Sequence, residues 1–199
     1  PFHKFRITSN GVREGLLEVM RLSDWKNKWG KLPYGRGIGV ACSFFISGSA
    51  LPIHWNKLPQ STVHLKIDMD GGITVHSLAA EIGQGSSTMV AIAVAETLDV
   101  PLERVRVIAG DSALTPKDNG AYSSRITFMV GNAAIDAARN LKQLLIAAAA
   151  RKFSETEQDI ECRDGAFHLR GSDQPPLSFE EVAKAALVDE GTITCKGTF

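Results

Sequence analysis

The sequence predicts an α+β fold, helices packed on a mixed or antiparallel sheet, and three features carry that prediction. In the stretch TVHLKIDMDGGITVHS, Val63, Leu65, Ile67 and Met69 alternate with His64, Lys66, Asp68 and Asp70. The alternation resumes through Ile73 and Val75 after the Gly71-Gly72 pair, which is the pattern of a hairpin with one buried face. From Ile126 to Lys152, apolar residues recur at helical spacing: Ile126, Met129, Val130, Ala133, Ala134, Ala137, Leu141, Leu144, Leu145 and Ala148. The many alanines let such a helix lie close against a sheet or another helix. Finally, short strand-like segments alternate with helical ones along the rest of the chain.

Taken in order, Asn10 is placed to cap a first helix with apolar positions Val12, Leu16, Leu17, Val19 and Met20. The Lys-rich segment Trp25 to Lys31 reads as a surface connection. Gly37 to Ile46, GIGVACSFFI, is apolar and partly β-branched, which predicts a buried strand. After the hairpin, Ser87 to Leu98 reads as a helix, Arg104 to Ala109 as a strand, and Ile126 to Lys152 as the long helix. Asp159 to Cys162 and Ala166 to Leu169 fit short strands around the Asp164-Gly165 turn. Leu177-Ser178 opens a helix through Leu187, with Ser178 and Glu181 at the spacing of a capping box. Thr192 to Lys196 is strand-like, close to the last residue, Phe199.

Composition narrows the function classes. The 199 residues are 44% hydrophobic, and 22 basic side chains balance 22 acidic ones. No global field exists to gather nucleic acid or an anionic membrane surface. The longest apolar runs, Val40 to Ile46 and Leu144 to Ala150, fall far short of the ~20 residues that cross a bilayer. The beginning, Pro1 to Arg6, lacks the apolar core of a signal peptide and an initiating methionine, so a fragment of a longer chain is expected. Cys42, Cys162 and Cys195 form no C-x-x-C pair, which predicts reduced thiols in a cytoplasmic compartment and no zinc or iron–sulfur motif in this chain.

Two Gly/Ser-rich helix starts are the candidates for chemistry. In Glu81-Ile82-Gly83-Gln84-Gly85-Ser86-Ser87-Thr88, glycines flank Gln84 and permit unusual backbone angles and close ligand approach. The Ser/Thr cluster precedes a helix whose free N–H groups favour anions. The segment is neither a Walker loop nor a dinucleotide fingerprint. The second start is Asn119-Gly120-Ala121-Tyr122-Ser123-Ser124-Arg125, where backbone amides, hydroxyls and a guanidinium could converge on a phosphate. Each start, taken alone, reads first as an ordinary capped turn. Together they suggest one extended anionic ligand lying across both.

Other polar residues offer less. His3, His54, His64, His76 and His168 are not at metal-ligand spacing, and the two on the hairpin suit cross-strand or solvent-facing roles. Asp111 and Asp118 read as turn caps. Ser43, Ser47 and Ser49 lack a G-x-S-x-G elbow, and no general base is identified.

Several ordered blocks resemble one family: GQG at Gly83 to Gly85, the A-E-x-L-x-V-P-x-E-x-V block from Ala95 to Val105, the loop Asp111 to Pro116, the SSR element, and GRGIGVACSFFISG upstream. The chain resembles the molybdopterin-binding subunits of the xanthine oxidase, or molybdenum hydroxylase, family. Within it, GQGSST, DSALTPKDNG-x-YSSR-x-TFMVGNA and GTIT-x-KGT look most like the large subunit of 4-hydroxybenzoyl-CoA reductases. The resemblance implies part of a molybdopterin-binding domain of the xanthine oxidase type. Residues 1–34 would be a lead-in helix and connection, and residues 35–199 the cofactor-binding core.

That resemblance also implies a reaction, the reductive removal of the ring hydroxyl of the acyl-CoA substrate 4-hydroxybenzoyl-CoA to give benzoyl-CoA. The cofactor would be molybdenum on molybdopterin cytosine dinucleotide. The partners would be the remainder of the same subunit and subunits carrying iron–sulfur clusters and FAD. By the same carry-over, Gln84 would contact the pterin or the metal's surroundings, with Gly83 and Gly85 permitting the approach. Ser86, Ser87, Tyr122, Ser123, Ser124 and Arg125 would hold the phosphates and nucleotide. The family's R-G-F-G-G-type loop and its downstream metal-site glutamate have no counterpart in this chain, so the fragment alone is expected to be inactive and free of cofactor. The alternatives are a family member acting on a purine, N-heterocycle or aldehyde, and a cofactor-free interaction module.

Overall fold

A computed structural model describes Ile7, residues 9–47 and residues 57–199, and divides the chain into two compact units, residues 1–46 and 47–199. In the first unit, α1 (Val12–Leu22) is followed by one short turn of helix, α2 (Trp25–Lys28), inside the segment expected to be a plain connection. Asn10 Oδ1 accepts from the Val12 N–H at 3.0 Å, the capping expected of it. No residue of α1 is buried.

The second unit is built on a mixed four-stranded sheet. β1 (Thr62–Ile67) and β2 (Ile73–Ser77) form the expected antiparallel hairpin, with His64 opposite His76. Helix α3 (Ser86–Leu98) then crosses over to β3 (Val105–Ala109), which runs parallel to β2. After β3 comes α4 (Ile126–Phe153). A second, three-stranded sheet follows, formed by β4 (Ile160–Arg163), β5 (Ala166–Leu169) and the two-residue β6 (Leu177–Ser178). Helix α5 (Phe179–Glu190) starts with the predicted box: Ser178 Oγ accepts from the Glu181 N–H at 3.2 Å, and the Glu181 carboxylate accepts from the Ser178 N–H at 2.8 Å. The last strand, β7 (Thr194–Thr198), returns to the first sheet beside β1, giving the order β3-β2-β1-β7.

The core lies between this sheet and the helices. Val63, Leu65, Ile67, Ile73 and Val75 face Val90, Val94, Leu98, Val130, Leu141 and Leu145. The small residues of α4 set how closely it approaches. At Gly197 of β7 an added Cβ would stand 2.8 Å from Ala137 Cα and would overlap Ala133 O and Ala137 N, so strand and helix backbone touch there. Asp136 and Asn140 of α4 then bond to the Thr198 N–H and the Lys196 carbonyl, covering the outer edge of β7.

Three expectations need correction. Gly37 to Ile46 forms no strand, and Phe44 and Phe45 are largely exposed. An apolar run becomes a strand only where another strand pairs with its backbone, and no strand of either sheet pairs with these residues. Met69 is exposed because the alternation stops at the turn, where Gly71 N–H bonds the Asp68 carbonyl. Leu144, counted in the buried stripe of α4, lies at its margin and is 40% exposed.

Candidate functional site

Both Gly/Ser-rich segments leave the carboxyl ends of the parallel pair β2 and β3, the end at which open α/β sheets bind their ligands. The helices they open lie side by side and run in the same direction. Met89, in the first turn of α3, packs at Gly131 in the second turn of α4, where a Cβ would stand 3.3 Å from its sulfur. Further along both helices, Lys142 Nζ donates to the Thr97 carbonyl at 3.1 Å. The topology therefore brings the two helix starts to one end of the layer.

At the α3 start, Gly83 and Gly85 have φ of +98° and +76°, angles that strain any L side chain. A Cβ at either would meet nothing within 4 Å, so the loop faces open space. Gln84 is exposed, and its amide closes the loop by donating to the Ala80 carbonyl at 2.8 Å and accepting from the Ile82 N–H at 2.7 Å. The central group is one the sequence reading passed over. Glu81 Oε1 accepts from the N–H groups of Gly83 and Gly85 at 2.9 and 3.0 Å. Its Oε2 accepts from the Ser86 hydroxyl at 3.1 Å and the Ser87 N–H at 3.4 Å. These donors, Gly85 foremost, hold the Glu81 carboxyl below its ordinary range. Ser86 is buried, and its hydroxyl faces this carboxylate.

The α4 start is built differently. Ser123 and Ser124 both adopt left-handed backbone angles, with φ of +51° and +50°. The turn closes with the Arg125 N–H donating to the Tyr122 carbonyl at 3.1 Å. Ser123 is buried, Ser124 is exposed, and no side chain caps α4. Arg125 points inward and is 1% exposed. It donates to Asp118 Oδ1 at 2.9 Å, the Gly120 carbonyl at 3.2 Å and Ser61 Oγ at 2.8 Å, and stands over the Tyr122 ring. Asp118 also accepts from the Ser61 hydroxyl at 2.5 Å and the Gly120 N–H at 2.8 Å. This buried pair ties the loop to the segment before β1, and in this conformation the guanidinium does not reach the surface beside Ser124.

The remaining candidates fall elsewhere. Asp111 caps its own turn, accepting from the Ala113 N–H at 2.9 Å. His64 and His76 are cross-strand neighbours on the sheet face opposite the core; burial first, then His76 and Lys196, push His64 below its ordinary value. His3, His54 and Ser49 lie outside the described residues. Among the described residues, no group of three His, Cys, Asp or Glu could hold a metal ion, and no helix is long and apolar enough to cross a membrane.

Comparison with known proteins bears on this geometry. The family model described as the molybdopterin cofactor-binding domain matches residues 16–199. The xanthine dehydrogenase molybdenum-binding subunit of Escherichia coli O157:H7 is 34% identical over 190 residues, covering 91% of this chain and 24% of that protein. The nicotine 6-hydroxylase large subunit of Paenarthrobacter nicotinovorans is 29% identical over 161 residues, covering 78% and 20%. Among solved structures, quinoline 2-oxidoreductase from Pseudomonas putida 86 superposes with a TM-score of 0.62 at 29% identity, over 70% of this chain and 19% of that one. Carbon monoxide dehydrogenase from Oligotropha carboxidovorans does so with a TM-score of 0.66 at 24% identity, over 70% and 18%, a likeness of fold. The chain thus spans about a quarter or less of the length of these relatives.

Proposed function

Because this chain belongs to the molybdopterin cofactor-binding domain family, we propose that it is part of the cofactor-binding subunit of a molybdenum-dependent oxidoreductase. The observation that carries this reading is the convergence of two helix starts at one end of the fold, one presenting an exposed Gln84 over open glycines and the other an uncapped N-terminus. The open space over Gly83 and Gly85 fits a planar pterin brought close to backbone, and the uncapped amides of α4 fit its phosphates.

On this reading Gln84 reaches the pterin or the metal's surroundings with a neutral amide that can donate and accept. Gly83 and Gly85 keep the approach clear. Ser124 and the first amides of α4 hold phosphate, with Ser123 and Tyr122 shaping the turn. Ser86 and Ser87 contribute through the loop they share with Glu81. Arg125 supports the turn from beneath. When bound, the cofactor supplies the redox chemistry, and the protein supplies binding and orientation. The cytosine dinucleotide form, the iron–sulfur and FAD subunits as partners, the rest of the same subunit completing the site, and a cytoplasmic location belong to the same proposal.

For the reaction we propose reductive dehydroxylation of 4-hydroxybenzoyl-CoA, in which two electrons and two protons enter and water leaves. The support is the sequence likeness of GQGSST and of the Asp111 to Ala133 segment. The second reading, hydroxylation of a purine or other N-heterocycle, is favoured by the relatives named for xanthine, nicotine and quinoline. The test uses the full-length parent with its partner subunits: acid release of bound nucleotide and pterin, identified by mass spectrometry, beside molybdenum analysis. CMP with an oxidised pterin is the expected result. Neither of them in a folded, metal-replete complex would overturn the cofactor reading. Turnover of the thioester against free heterocycles separates the two reactions.

A further inference from the structure

The start of α3 already holds an anion, supplied by the chain itself. One carboxylate gathers three backbone N–H groups and one hydroxyl from residues two to six positions ahead of it, and those residues enclose Gln84. We propose that Glu81 is a positioning residue, its carboxylate folding the loop that presents Gln84 before any cofactor arrives. The inference rests on the reading of that loop as a cofactor contact. It goes further by assigning the loop's shape to a residue that touches neither pterin nor metal.

Gly83 and Gly85 supply positive φ but no side chain to fix it, so the loop has many alternatives when unfolded and few intrinsic reasons to choose this one. Gln84 closes only part of it, through Ala80 and Ile82. The Glu81 carboxylate spans both glycines and the first turn of α3, which ties the loop to a packed helix. Each bond is charge-assisted, stronger than its neutral equivalent. The groups meeting Glu81 are the amides of Gly83, Gly85 and Ser87 and the hydroxyl of Ser86, none of which titrates near neutrality. The carboxyl sits below its ordinary range, so the hold is complete above that range and is lost as pH falls through the depressed value.

The experiment uses the full parent complex, prepared with and without cofactor, as wild type, Glu81→Gln and Gln84→Ala. Hydrogen exchange is followed on the peptide spanning residues 80–88, corrected for the intrinsic pH dependence of exchange. In the cofactor-free protein Glu81→Gln should raise exchange of that peptide by roughly tenfold and leave the peptides of β1 and α4 unchanged. Wild-type protection should fall on acidification, and the variant should show no such step. Cofactor content of Glu81→Gln after purification should fall with that of Gln84→Ala. Unchanged exchange in the cofactor-free variant would overturn the proposal whatever the cofactor does. A loosened loop with full cofactor content would also overturn it where Gln84→Ala has lost its cofactor. Full cofactor content in both variants would instead count against the loop as the cofactor contact, while exchange still decides whether Glu81 shapes it.

Discussion

At the start of α3 the exposed carboxylate of Glu81 meets the N–H groups of Gly83 and Gly85 and, in the helix itself, that of Ser87, whereas at the start of α4 no side chain caps the helix and the ion pair lies buried beneath it. Both starts are Gly/Ser-rich, and both follow strands of one parallel pair. The first is a surface loop closed by local bonds. The second is strained at two serines and anchored by a pair that reaches back to Ser61. The difference teaches that one sequence signature, small polar residues opening a helix, can be realised with a carboxylate of the chain's own at the helix start or with that start left open. An anionic ligand is better served by the open one.

The strongest way to break that contrast is to remove the buried anchor. Arg125→Met should destabilise the full-length subunit by about 3–5 kcal/mol, because Asp118 would remain as a buried charge without its partner. Chemical denaturation measures this. Replacing both partners, Asp118→Leu with Arg125→Met, should recover part of the loss, since no lone charge is then buried. A double variant as unstable as the sum of the singles would mean that the pair is not coupled as its 2.9 Å contact indicates.

A gentler test separates binding from folding. Gln84→Ala takes away an exposed side chain whose bonds are to its own loop, so global stability should change by only about 0.5 kcal/mol or less. Cofactor content of the parent complex should nevertheless drop, with molybdenum and pterin falling together. Wild-type content and activity in that variant would remove Gln84 from the site.

How much of this was legible in the sequence follows from how local each feature is. The hairpin and the long helix carry their periods in consecutive residues, and the Ser178–Glu181 box spans only four positions. Glu81 was missed because the capping rule looks for an acid three residues inside a helix, and this one lies four residues before the left-handed Gly85 that precedes α3. Arg125 beside two serines looks like a phosphate ligand. Its inward turn depends on Ser61, 64 residues upstream, and on Asp118, whose side chain is buried only once the loop is folded. The apolar run Gly37 to Ile46 shows the same limit, because burial of a strand is a property of its neighbours.

A change at Ser124 is the most discriminating test of the α4 start. Ser124 is exposed and held at φ +50°, a conformation that costs a non-glycine residue about 1–2 kcal/mol. Nothing in its own packing requires a hydroxyl there. Ser124→Gly should therefore raise the stability of the full-length subunit by about 1 kcal/mol, through relief of backbone strain net of the extra freedom that glycine gives the unfolded chain. If the hydroxyl serves the cofactor, the same variant should retain less molybdopterin. Stability and cofactor content would then move in opposite directions, the behaviour expected where strain is kept for function. A variant that is more stable and fully loaded would leave phosphate binding to the uncapped amides of α4 alone.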